Sequence, residues 1–180
     1  MVTKNFNNIA KPLRHELIEA CKQNDIEKVK EFLSRGADIN EIKNGTLVIA
    51  DTMTALMVVS HCGYQPLAQL LIDNSADIDA LDCFGNTALM LAASNGQADI
   101  AEMLIKNGAK LDVKNINRAS ALSQAKKYGH EDVVEKIEQA LKDQAAQAVV
   151  TEKQQQKIMQ QVLNPATQRP LRVKPIVQIK

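Results

Sequence analysis

The tetrapeptide Thr54-Ala-Leu-Met57 returns as Thr87-Ala-Leu-Met90, and the residues behind the two copies keep step for more than twenty positions. The offset, 87 − 54 = 33, leaves few architectures open. A fixed period of roughly 20 to 50 residues marks small units stacked in line, each too small to bury its own apolar face.

Aligned at their glycines, four copies emerge: HELIEACKQNDIEKVKEFLSRGADIN from His15, TALMVVSHCGYQPLAQLLIDNSADID from Thr54, TALMLAASNGQADIAEMLIKNGAKLD from Thr87, and SALSQAKKYGHEDVVEKIEQALK from Ser120. Their starts differ by 39, 33 and 33, so six residues are inserted between the first two copies. Each copy predicts two short antiparallel helices. Thr54, Thr87 and Ser120 offer an N-cap hydroxyl to the first helix. Leu56, Leu89 and Leu122 follow as apolar anchors. Gly63, Gly96 and Gly129, nine residues after each cap, mark the turn into the second helix, where a left-handed residue is favoured. The second helices carry Val29, Phe32 and Leu33, then Leu67, Leu70, Leu71 and Ile72, then Ile100, Met103, Leu104 and Ile105. That i, i+3, i+4 spacing buries one face. Gly36 and Gly108 close them, with Ser75 between, and links such as ADIDALDCFGN bring Asp, Gly and Asn turn chemistry.

This pattern resembles the ankyrin repeat, with its period of 33, T-P-L-H-x-A signature, central Gly and closing G-A-D. The best match is DCFGNTALMLAASNGQADIAEMLIKNGAKLD, Asp82 to Asp112, and the resemblance spans residues 13–142. It implies an all-α ankyrin-repeat solenoid with hairpin-like links and repeats at about 13–40, 54–82, 87–115 and 120–142, to which the composition beyond Lys142 adds an expected C-terminal helical extension and tail. Ala55 and Ala88 replace the family's Pro; Met57, Met90 and Ser123 replace its His. Arg118 stands where the preceding link has Gly85, which predicts a distorted last hairpin. The first and fourth copies are richer in charge, as terminal repeats facing water must be.

The resemblance also implies a noncatalytic module that binds a protein through the concave surface of its first helices and through its link tips. The corresponding first-helix positions are Lys22, Gln23, His61, Cys62, Ser94, Asn95, Lys127 and Tyr128. The link positions are Cys83, Phe84, Asn86, Ile116, Asn117 and Ala119. His61, Phe84 and Tyr128 stand out because aromatic anchors dominate interface energetics, whereas single exposed apolar residues are also ordinary on any surface.

Outside the repeats, residues 1–12 read as an arm and the insertion 41–53 as a projecting finger, with the β-prone run Thr46 to Ala50 after an Asn44-Gly45 turn. That run either meets a partner or covers the first repeat. Residues 143–163 are Ala- and Gln-rich and predict a helical extension, ended by Pro165. Residues 164–180 carry four bases and no acid, against four acids and no base over 54–82. The tail therefore docks on the acidic repeats, follows a ligand there, or stays loose.

Composition fits this reading. The 3% aromatic content without Trp favours helices packed through small aliphatic side chains. A net charge of +1 gives no overall field toward nucleic acid or membrane. No apolar run approaches a membrane span or leader core, so a cytoplasmic location is expected. Cys21, Cys62 and Cys83 lack metal or disulfide spacing. The adjacent His61 and Cys62 point about 100° apart on a helix, which does not make a base and nucleophile. No phosphate loop or hydrolase motif occurs, so no cofactor, metal or catalytic residue is expected. A monomer is expected. Two other classes stay open: an anionic-surface or nucleic-acid binder acting through the basic tail, which salt would weaken steeply, and a self-associating protein using the Gln-rich helix.

Overall fold

The computed structural model describes residues 10–41 and 52–163. Most of the predicted arm and finger, and the whole basic tail, lie outside the described residues. Those residues hold eight helices and no strand: α1 (Ala10–Lys22), α2 (Ile26–Ser34), α3 (Ala55–Cys62), α4 (Gln65–Asp73), α5 (Ala88–Ser94), α6 (Ala98–Lys106), α7 (Ala121–Tyr128) and α8 (Glu131–Leu163). The chain divides into a unit ending at Leu141 and a second beginning at Lys142. α8 is continuous through that division.

In the first unit α1, α3, α5 and α7 pack side by side in chain order. α2, α4 and α6 back their partners, and α4 also packs on α6. Small residues let the first row close up: Ala88, Ala92, Ala93, Ala121 and Ala125 are all buried. Between the rows lie Leu17, Leu56, Leu67, Leu71, Leu89, Ile100, Leu104 and Ile137, all fully buried. One apolar core therefore runs the length of the stack, as the nearest-neighbour logic of repeat proteins requires.

Helix starts follow the sequence. The hydroxyl oxygens of Thr54, Thr87 and Ser120 each accept the amide three residues on. At two of these starts the bond is reciprocated. Met57 Sδ accepts the Thr54 amide at 3.4 Å and Ser123 Oγ the Ser120 amide at 2.8 Å, so the residues that replace the family's His close capping boxes. Helix ends are repeated too. Ala76 N–H donates to Leu71 O and Ala109 N–H to Leu104 O, both at 3.0 Å, across a left-handed Ser75 and Gly108.

α1 begins at Ala10, inside the predicted arm. The last hairpin is regular, contrary to expectation. Asn115 N–H donates to Ala119 O at 3.1 Å and Arg118 N–H to Asn115 O at 2.8 Å, matching Asp82 to Asn86 O at 3.0 Å and Gly85 to Asp82 O at 2.9 Å. Arg118 adopts the left-handed backbone itself, with φ +58°.

Candidate functional site

Two strips of side chains emerge from this stacking, one at the C-terminal ends of the first helices and one at the link tips. On the first, His61 and Asn95 from successive repeats meet. Asn95 Nδ2–H donates to His61 Nδ1 at 3.0 Å and to Leu91 O at 2.8 Å, and it touches Ser94 Oγ at 3.2 Å. Ser94 Oγ donates to Leu91 O. His61 is therefore already engaged across a seam. Lys22, at the end of α1, and Gln23, just past it, both donate to Glu19 of α1. Cys62 is half-buried and lies close enough to Cys21 to oppose its ionisation. Burial does more: the Cys21 thiol is pushed up to about 12, first by desolvation and then by Cys62. Tyr128 is 52% exposed and carries Lys127 Nζ over its ring at 5.1 Å.

On the second strip Asp82 and Asn115 are buried turn anchors. Asp82 Oδ1 accepts the amides of Phe84 and Asn86, and Asn115 Oδ1 those of Asn117 and Ala119. Asn86 Nδ2 donates to Asp82 and its Oδ1 accepts Asn115 Nδ2–H at 2.7 Å. Asn86 is thus occupied in holding link to link. Ile116 N–H donates to Phe84 O at 2.9 Å, which brings Phe84 and Ile116 together; Phe84 is half-buried, while Ile116 is 65% exposed. Cys83 is exposed, with its sulfur accepting from the Thr52 hydroxyl at 3.3 Å.

A third set was absent from the expectations. Tyr64, Gln97 and His130 occupy one register, ten residues after each cap. Tyr64 and Gln97 sit at helix N-caps without capping them. They reach into the preceding repeat instead. Tyr64 Oη donates to Lys22 O at 3.4 Å and His130 Nε2 to Ser94 O at 3.1 Å, each satisfying a carbonyl at the end of a first helix. Gly63 and Gly96 make room, since a Cβ would lie 2.6 Å from Gln97 Oε1 in the first case and 2.7 Å from His130 Nδ1 in the second. Shared register was the available signal, but three chemically unlike residues do not announce a common role.

A polar cleft of about 270 Å³ lies between α4 and α6, lined by residues including Gln69, Glu102 and Lys106; none of the candidate partner-binding residues lines it. Glu102 pairs with Lys106 and with Lys136 of α8, and these two ammonium groups hold its carboxyl down at about 2. Among the described residues no group of His, Cys, Asp and Glu gathers as a metal would need, and no helix is long and apolar enough to cross a membrane.

A family profile described as ankyrin repeats (3 copies) matches residues 17–115 and again 82–145. The chain belongs to the ankyrin-repeat family. Such repeats are generally protein–protein interaction modules and typically noncatalytic. No curated protein matches the chain.

Proposed function

We propose that the chain is a noncatalytic adaptor that binds a protein partner through the first-helix ends and link tips of its ankyrin repeats, as a cytoplasmic monomer. The observation that carries this reading is the pair of exposed side chains Ile116 and Tyr128, which the stack leaves uncovered on the two strips. Lys127, stacked on Tyr128, adds a cation to the same surface. His61, Asn86 and Asn95 set the shape of that surface, and the partner reads Cys83, Phe84, Ile116, Asn117, Lys127 and Tyr128. The repeats at about 13–40, 54–82, 87–115 and 120–142 form the binding domain; residues 143–163 extend it.

Each true anchor replaced by alanine weakens binding by about 2 kcal/mol, roughly thirtyfold. Affinity capture from source lysate tests the reading, comparing the intact chain with an Ile116→Ala/Tyr128→Ala variant and with a version ending at Leu163. Partners lost with the double variant, its helical circular dichroism unchanged, support it. Partners retained there but lost on truncation overturn it in favour of the tail.

A further inference from the structure

The links are joined by a pattern of donors and acceptors that stops one step early. Asn40 Oδ1 accepts the Asp77 amide at 2.7 Å, and Asp79 Oδ1 accepts the Lys110 amide at 3.0 Å. Phe84 O accepts the Ile116 amide at 2.9 Å. One period on, 79 + 33 = 112 and 84 + 33 = 117, so Asp112 and Asn117 are the next acceptors. Both are exposed, and among the described residues no donor reaches the Asp112 carboxylate or the Asn117 carbonyl. The chain does not supply the next link: position 110 + 33 = 143, whose amide would be the donor, lies within α8.

We propose that the outer edge of the third link, residues 112–119, docks an extended acidic peptide segment of a partner protein, which adds to the ladder as a further link. Main-chain N–H groups are what the preceding edge accepts at both points, and extended chain offers them at repeated intervals. In the existing link the two donors, Lys110 and Ile116, are six residues apart, which sets the spacing the segment must match. Ile116 supplies an exposed apolar contact. Lys114 and Arg118 are exposed, and among the described residues neither has an acidic partner, which favours acidic side chains in the segment. The inference rests on the reading of the link tips as part of the binding surface and says what meets them.

A synthetic probe tests it directly. The peptide is an acetylated copy of residues 110–119 carrying Lys114→Glu and Arg118→Gly, so that it presents the donors of a link without repeating its free cations. It is titrated into isotope-labelled full-length protein while amide chemical shifts are followed. Saturable shifts confined to residues 111–119, with a Kd of ~1 mM or tighter, are expected. N-methylation of the peptide at its Lys110 and Ile116 amides should weaken binding at least tenfold, and Asp112→Ala in the protein severalfold. Absence of saturable shifts, shifts elsewhere, or equal binding of the N-methylated peptide overturns the proposal. So do concentration-dependent shifts at residues 111–119 in the protein alone, which would make a second copy the occupant. Failure here leaves the lysate comparison of Ile116 and Tyr128 standing, so the two readings fail separately.

Discussion

Gly96 and Gly108 share a left-handed backbone, at φ +70° and +89°, yet only Gly96 has a neighbour in the way. Alanine at either position is strained by ~1–2 kcal/mol. At Gly96 the new methyl also meets the His130 ring and breaks its bond to Ser94, adding ~1 kcal/mol. Denaturant unfolding should therefore rank Gly96→Ala below Gly108→Ala, and the gap should vanish in a His130→Ala background; a gap that persists would detach His130 from the seam. Arg118 gives the converse case. It holds φ +58° without being glycine, so Arg118→Gly should stabilise the chain by ~1 kcal/mol, read as a higher melting temperature. The sequence revealed the glycines and the caps because those requirements are local. It misjudged Arg118, since two hairpin bonds and Asn115 over-determine the turn and carry the strain. Cysteine reactivity is also a residue-scale property. Cys83 should alkylate first at neutral pH, while buried Cys21, with its thiol near 12, stays unmodified until unfolding. Because folding raises that thiol from 9 to about 12, the associated stability is complete below pH 9 and is lost as pH climbs toward 12.

Helices succeed or fail here by what they bury. α5 is only seven residues long, too short to persist alone, and is held by Leu89 and Met90 in the core and by neighbours on three sides. Leu89→Ala should cost ~3 kcal/mol, measurable by denaturant titration. α6 is tied to α8 through Glu102, whose carboxyl falls from 4.5 to about 2 on folding beside Lys106 and Lys136. A depressed acid contributes stability above its unfolded value and loses it as pH falls through the folded one. The melting-temperature advantage of the wild type over Glu102→Gln should thus be full at pH 7, decline between pH 4.5 and 2, and shrink in high salt. Element boundaries were the less legible part. α8 spans 33 residues as one helix although composition changes near residue 143, because the backbone meets no Gly or Pro before Pro165. Likewise α1 starts at Ala10, where no capping residue had suggested it.

For the whole molecule, the period of 33 exposed the architecture from the sequence because burial repeats with it. Partner-facing residues need not repeat, and that is why the candidate surface was only half legible. His61, Asn86 and Asn95 are spent on seams, whereas Ile116 and Tyr128 face solvent. Stability in such a stack is a sum over neighbours, so a chain ending at Lys142 should keep a cooperative thermal transition, checked by calorimetry, even as it sheds the helical signal of residues 143–163. The seams themselves are not alike. The first is clasped by a phenol at 3.4 Å and the last by an imidazole at 3.1 Å. Along the stack these two clasps are therefore unequal springs, the longer bond at Tyr64 being the weaker of the pair.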